Sequence, residues 1–169
     1  MSVHRHARPR SRRSALHLEY DTQEFRVWLP TADDPLVIAS FGDAASLAFE
    51  LVDWDADREV LVLLDEQRRV TAMLVDPPPP VGVLVGSCDV PGLEVDFCQT
   101  LSIVTAVQPE DGPPPDHHRD GYFALRRLHM LQGIQLLDVI LAGPERVQSL
   151  AIACDPDPIW FEDWQPMAS

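Results

Sequence analysis

The chain has 169 residues, of which 46% are hydrophobic, and this length and composition fit one folded domain rather than a disordered chain. Its net charge of −14 at pH 7 argues against nucleic-acid binding, because an acidic body repels phosphate backbones. No apolar run reaches the ~20 residues that span a bilayer, and no apolar segment follows the basic N-terminal residues as it would in a secretory signal. We therefore expect a cytoplasmic protein that does not enter membranes.

The charge is unevenly distributed along the chain. Residues 1–15 combine basic side chains with serines and show no hydrophobic period, which predicts a disordered basic tail ahead of a single domain over 16–169. The tail is either solvated or an electrostatic anchor for an acidic partner, or for the acidic surface of this protein itself. Any nucleic-acid contact would depend on the tail arginines, which are Arg5, Arg8, Arg10, Arg12 and Arg13.

The first half of the domain shows three clear patterns. Apolar alternation within 25–29 predicts a strand that ends at a proline. Residues 40–54 read "SFGDAASLAFELVDW", where apolar residues recur at helical spacing and Asp43 suits the N-terminal end of a helix dipole. Residues 59–75 contain two apolar runs around the polar turn "DEQRR", which predicts a β-hairpin.

The second half adds further alternating elements. We predict, in chain order, a strand at 81–86, a short helix or turn within 89–101, a strand at 102–107, a long loop at 108–121, an amphipathic helix at 122–133, and strands at 134–143 and 146–154. The aromatic segment after residue 154 is predicted to pack back onto the domain, and the alternative is an exposed peptide that binds a partner. This order predicts an α/β fold: a single domain with a mixed β-sheet flanked by helices.

Several strings resemble a known family. "VLVLLDEQRRVTAMLV" resembles the opening hairpin of the RadC branch of the JAB/MPN metalloprotease-like superfamily, and "DVPGLEVDF" sits where that family has a helix that opens with Arg-Glu. "GIQLLDVILAG" resembles the RadC string "GI.LLDHIIVG", and "RVQSLA" resembles the Tyr-Ser-bearing strand that follows it. The resemblance covers residues 43–153 and implies a JAB/MPN-like domain of the cytidine-deaminase-like architecture.

The resemblance also implies where a metal would be held. The family uses a His-x-His-Pro loop and a downstream Asp to bind Zn²⁺, while an upstream Glu relays a proton. With Pro109 as the anchor, the two histidine positions fall on Ala106 and Gln108, the ligand aspartate falls near Asp120, and Glu94 is a candidate for the upstream acid. Because alanine has no donor atom and a glutamine amide is a poor zinc ligand, we expect neither a bound metal nor a cofactor.

The sequence therefore predicts a non-catalytic, metal-free RadC/JAB-like domain that binds another protein or acts as a scaffold. One alternative is a divergent zinc-dependent hydrolase with a rebuilt site, and another is a nucleic-acid-associated RadC-like protein. The rebuilt site would consist of Asp116, His117, His118 and Asp120. The chain has no Walker loop, no G-x-G-x-x-G and no G-x-S-x-G motif. His129 is predicted to be a hydrogen-bonded interior or boundary histidine of the amphipathic helix.

Overall fold

One mixed sheet of eight strands organises the chain. The computed structural model describes residues 2–4, 16–21, 26–30, 35–54, 59–75, 96–105 and 109–161. The strands are β1 (Ser2–His4), β2 (Leu16–Asp21), β3 (Arg26–Pro30), β4 (Glu59–Leu64), β5 (Val70–Val75), β6 (Gln99–Val104), β7 (Gln135–Ala142) and β8 (Arg146–Ser149). The helices are α1 (Phe41–Trp54), α2 (Asp116–Leu131) and α3 (Leu150–Cys154), followed by a 3₁₀ turn at Ile159–Phe161.

The strand order across the sheet is β1-β8-β7-β6-β4-β5-β3-β2. Strands β6 and β7 are parallel, whereas the other neighbouring pairs are antiparallel. A parallel pair needs a crossover connection, and α2 lies within it, so β6, α2 and β7 form a βαβ unit. The predicted α/β class with a mixed sheet is confirmed.

The helices lie on the sheet because alternate strand residues point to opposite faces. Val60, Val62 and Leu64 of β4 pack in one cluster with the apolar side of α1. The residues between them, such as Leu61, belong to a second cluster. A third cluster joins Tyr122 of α2 to the β7 residues Leu136, Val139 and Leu141. The middle of the sheet is therefore buried on both faces, which explains the nearly continuous apolar runs of β4 and β7.

A capping box begins α1. Ser40 precedes the helix, and its Oγ accepts a hydrogen bond from the backbone N–H of Asp43 at 3.3 Å. In return, Oδ2 of Asp43 accepts from the backbone N–H of Ser40 at 2.9 Å. Two backbone donors of the first turn are thereby satisfied, which accounts for the start of the helix at the predicted position.

The β4–β5 hairpin also forms where the sequence predicts it. Oδ1 of Asp65 accepts from the backbone N–H groups of Gln67 and Arg69, each at 2.9 Å. Arg68 occupies the left-handed region at φ 57°, which lets the chain reverse between these two bonds. A short carboxylate side chain at the first turn position is therefore the local cause of this reversal.

Some predicted boundaries are wrong. α2 begins at Asp116, inside the predicted loop 108–121, because the preceding Pro115 leads into the first turn and Asp116 suits the helix dipole. The predicted strand at 146–154 ends at Ser149, because Oγ of this residue accepts from the N–H of Ile152 and caps α3. The predicted strand at 102–107 is shifted to Gln99–Val104.

Other predictions fall partly outside the described residues. Ser2–His4 form the outermost strand and pair with β8, whereas residues 5–15, with all five tail arginines, lie outside the described residues. The predicted strand at 81–86 also lies outside them. Within the described part of the chain, no helix is both long and apolar enough to cross a bilayer.

The capping box generates a stability prediction. Changing Ser40 to Ala removes the cap of α1 and should lower the free energy of unfolding by about 1 kcal/mol. The matched control is Ser46→Ala in the middle of the same helix, where Ser46 Oγ only donates back to the Gly42 carbonyl. This control should be neutral or slightly stabilising, because alanine is the better helix former. Urea unfolding of the two variants measures the difference, and equal losses would refute the cap.

Candidate functional site

A single carboxylate lies in the middle of the apolar strand β7. Asp138 is fully buried, and the residues on either side of it in the strand are buried apolar side chains. Burial of an ionised carboxylate is strongly unfavourable unless hydrogen bonds replace its water. The stability of β7 at its buried position therefore depends on the hydrogen-bond partners of Asp138.

Three elements supply donors to this carboxylate. The hydroxyl of Ser149, the last residue of β8, donates to Oδ2, and the backbone N–H of Ala151 in α3 donates to Oδ1 at 2.8 Å. The indole Nε1–H of Trp160 in the 3₁₀ turn also donates to Oδ2, at 2.7 Å. We call these four residues, Asp138, Ser149, Ala151 and Trp160, the carboxylate node.

The carboxylate node perturbs the acidity of Asp138. Burial raises the pKa of Asp138 to about 6, although the hydrogen bonds from Ser149, Ala151 and Trp160 favour the ionised form and lower it. Asp138 and Ser149 are both fully buried, so neither side chain has a surface from which to act on a substrate. The node thus connects elements of the fold and does not resemble an exposed Ser–Asp catalytic pair.

Trp160 connects the node to α1 and to the β4–β5 turn. Its ring centroid lies 6.4 Å from that of Phe41 at the start of α1 and 5.8 Å from the guanidinium carbon of Arg68. Arg68 is buried and donates from Nη1 to the Ala39 carbonyl at 3.2 Å. Trp160 therefore joins the chain beyond α3 to α1, the β4–β5 hairpin and β7.

Most of the positions that the family resemblance matches to metal ligands lie outside the described part of the chain. Ala106, Gln108 and Glu94 lie outside the described residues. Among the residues that the structure describes, no group of three or more His, Cys, Asp or Glu side chains is arranged to hold a metal ion. Asp120 lies on the exposed side of α2, where Arg119 is 3.9 Å away.

The rival cluster consists of neighbouring side chains on the first two turns of α2. The rings of His117 and His118 are 4.1 Å apart between centroids, and desolvation, followed by the nearby His117, lowers the pKa of His118. Asp116 is largely exposed and lies 3.9 Å from Arg119. The segment that leads into these turns is held against β8, because Gln148 Nε2 donates to the Gly112 carbonyl at 3.0 Å.

The donor set that the RadC/JAB resemblance implies does not fit zinc. Two of the three ligand positions that it implies are an alanine with no donor atom and a glutamine with a neutral amide, so at most one carboxylate remains. Zinc sites need three or four ligands to offset dehydration of the ion, and an adjacent histidine pair on one helical turn does not replace the missing imidazoles.

His129 is the buried histidine of α2. Nδ1 lies 2.8 Å from the Leu125 carbonyl, and Nε2 has no hydrogen-bond partner among the described residues. Burial lowers the pKa of this imidazole, and the Leu125 carbonyl partly opposes that effect. The predicted interior histidine is therefore found, with one ring nitrogen satisfied.

The opposite side of α2 is apolar and exposed. Among the described residues, four large hydrophobic side chains are exposed, and all are on this helix. They are Phe123, Leu128, Met130 and Leu131. Met130 and Leu131 are 69% and 75% exposed, respectively, which is unusual for side chains of this size. We call these four residues, together with the exposed Arg127 among them, the α2 face.

Two clefts open on the described surface. One, of about 400 Å³, lies at the β4–β5 turn and just before β6, and its lining includes the acids Asp65, Glu66 and Asp96 together with Arg69 and Cys98. Burial and then the neighbouring Glu66 and Asp65 raise the pKa of the Cys98 thiol, so this cysteine is a weaker nucleophile than usual. The other, of about 440 Å³, lies beside the C-terminal end of α2.

Comparison with known proteins does not assign the chain. No protein-family model matches it, and no significant match is found among curated proteins or among solved structures.

Neither the carboxylate node nor the α2 face was predicted from the sequence. The string "LLDVIL" shows an isolated acid inside an apolar strand, which was the available signal for a buried, hydrogen-bonded carboxylate. The partners Ser149 and Trp160 are 11 and 22 residues away, and no local pattern connects them to Asp138. For α2, the sequence predicted an amphipathic helix but not which of its apolar residues stay exposed.

The carboxylate node generates a pH prediction. An aspartate in an unfolded chain ionises near pH 3.9, whereas Asp138 keeps its proton to a pH of about 6 in the folded chain. Its stabilising contribution is thus complete below pH ~4 and is lost as the pH rises through about 6, by about 3 kcal/mol. Asp138→Asn cannot ionise, so the stability of the wild type relative to this variant should fall by that amount between pH 4 and 7.

Urea unfolding at several pH values and low protein concentration measures this difference. The matched control is Asp157→Asn, which makes the same chemical change at an exposed position two residues beyond α3's C-terminal cap. A wild-type advantage over Asp138→Asn that stays constant, or grows with pH, would contradict the buried carboxyl group with its raised pKa.

The donor set generates a second prediction for this region. Elemental analysis of the purified protein should find zinc well below one ion per chain. The double variant His117→Ala/His118→Ala should have the same low content. One zinc per chain in the wild type, lost in the double variant, would establish the rival site.

Proposed function

We propose that this chain is a protein-binding module of RadC/JAB-like ancestry that works without a metal, and that the α2 face is its docking surface. The observation that carries the proposal is the exposure of four large apolar side chains within nine residues of one helix. Exposed apolar patches on folded proteins commonly mark interaction sites. The order of α1, the β4–β5 hairpin, β6, α2 and β7 along the chain supports the proposed ancestry.

The position of the α2 face follows from how α2 is held. Tyr122 and His129 are seven residues apart, lie on one side of the helix and are buried. Leu131 lies opposite that pair, and Phe123 and Met130, which are also seven residues apart, follow one line about 100° around the helix axis from it. The helix is therefore fixed by its buried side, and the exposed side is a rigid, preformed surface.

The positive charge on the α2 face favours a partner with acidic side chains. Three of the eight arginines outside the tail are on α2, in a protein whose net charge is −14. Arg126 pairs with Asp155, while Arg127 is exposed in the middle of the apolar side chains. An apolar strip with a central cation fits an amphipathic helix whose apolar stripe is flanked by acidic residues. We propose that the partner presents such a helix.

Binding of matched synthetic peptides tests this proposal. One 18-residue helical peptide carries leucines at helical spacing flanked by glutamates, and the second has lysines in place of the glutamates. Fluorescence polarisation should show binding of the glutamate peptide with a Kd of about 10–100 µM, in the range of a small, transient interface, and much weaker binding of the lysine peptide. Leu131→Glu should weaken binding of the glutamate peptide about tenfold, which is about 1.4 kcal/mol.

Gln132→Glu is the matched control for that variant. It adds the same charge at the neighbouring exposed position but removes no apolar side chain. We expect it to reduce the affinity by less than about threefold, or about 0.7 kcal/mol. Equal losses in the two variants, or equal affinity for the two peptides, would contradict the proposed docking surface.

A further inference from the structure

The cleft beside the C-terminal end of α2 combines apolar and polar walls in a volume of about 440 Å³. Its apolar side chains are those of Met130, Ile134, Leu136 and Ile159, and its polar side chains are those of Arg126, Gln135, Asp155 and Asp157. An occupant that is apolar throughout would leave the polar half of this lining without water or a partner, which is unfavourable. The cleft therefore suits a side chain that has an apolar stem and a polar head.

The charges in the cleft do not cancel. Arg126 forms an ion pair with Asp155, and Oδ1 of Asp155 also accepts from the backbone N–H of Asp157 at 3.1 Å. The carboxylate of Asp157 is exposed, and among the residues that the structure describes it has no ion pair or hydrogen-bond donor of its own. The C-terminal end of α2 adds the partial negative charge of the helix dipole. A cation is therefore the head group that complements the cleft.

The cleft continues the α2 face at one end. Met130 belongs to both, and it lies on the same line of the helix as Phe123. Gly133, which lines the cleft, follows Arg127 by six residues, or about 9 Å along the axis. A helix that lies along the α2 face consequently presents one side chain to Arg127 and another, about two turns away, to the cleft.

We propose that the cleft holds a lysine side chain of the partner helix, with its stem against Met130 and Ile159 and its ammonium group at Asp157. This inference rests on the proposed function and adds a second recognition element to the partner. The four-carbon stem of a lysine matches the apolar walls, while its charge complements the uncompensated carboxylate. The partner thus carries acids opposite Arg127 and a lysine about two turns away, and this order of charges fixes its direction along α2.

Extended peptides test this inference. The glutamate peptide is lengthened by one helical turn at one end, and the new terminal residue is either lysine or norleucine, which has an aliphatic stem without a charge. A second pair carries the same extension at the other end. In fluorescence polarisation at low ionic strength, lysine should bind about threefold more tightly than norleucine at one end of the peptide and equally at the other.

The comparison of the two ends separates the cleft from general attraction. The net charge of −14 attracts any lysine, wherever the peptide carries it. The cleft, in contrast, lies at only one end of the α2 face. The same preference for lysine at both ends, or no preference at either end, would overturn the inference.

Asp157→Asn tests the role of the carboxylate, and it should remove the preference for lysine over norleucine. Glu145→Gln is the matched control, because it removes one exposed negative charge from the turn that follows β7. Gln135 at the start of β7 lines the cleft, and the eight residues of this strand place the turn about 23 Å away. Glu145→Gln should keep the threefold preference. A preference that persists in Asp157→Asn, or one lost equally in Glu145→Gln, would contradict the lysine site.

The unextended glutamate peptide separates this inference from the proposed function. If it binds as expected but lysine gives no preference at either end, the cleft is refuted as a lysine site while the α2 face stands as a docking surface. If none of the peptides binds the wild type, the proposed function is refuted, and the lysine site with it.

Discussion

The buried carboxylate of Asp138 is the constraint on which the arrangement of the other elements depends. An isolated carboxylate at the centre of a sheet would be destabilising by several kcal/mol, and hydrogen bonds from three different elements offset this penalty. The end of β8, the start of α3 and the 3₁₀ turn therefore have to meet at one point of β7. Removal of any one donor would leave the carboxylate less compensated, so the elements are coupled to one another through this residue.

The consequence for function lies on the other face of β7. Leu136, Val139 and Leu141 point away from the α1 cluster and pack against Tyr122, which fixes one side of α2 and leaves the other exposed. Trp160 ties the turn after α3 to β7, and Asp155, Asp157 and Ile159 of that segment line the cleft beside the C-terminal end of α2. The node, the α2 face and the cleft are thus parts of one arrangement, although only the α2 face and the cleft are accessible to a partner.

Local patterns in the sequence were sufficient for much of the fold. Helix α1 and the β4–β5 hairpin form where periodicity predicted them, because Ser40, Asp43 and Asp65 supply the local hydrogen bonds that begin or reverse the chain. The start of α2 was mispredicted because its first turn is polar and follows a proline-rich segment, and the change from β8 to α3 was mispredicted because the Ser149 cap overrides the apolar pattern around it. The carboxylate node could not be predicted, since its members are brought together by the sheet and not by sequence spacing.

For the candidate site, too, some properties follow from the residue types alone and others only from the fold. That Ala106 and Gln108 are poor substitutes for zinc ligands is a property of the residue types and needs no structure. Which apolar side chains of α2 remain exposed depends on how the helix packs, and only the fold reveals it.

Chemical-shift mapping by ¹H–¹⁵N NMR tests the central claim most directly. Titration of the labelled protein with the acidic amphipathic peptide should shift amides along residues 119–134 and leave those of the β4–β5 turn unchanged. Shifts centred on the acidic cleft at Asp65 and Asp96, or the absence of saturable shifts on α2, would contradict the assignment of α2 as the docking surface.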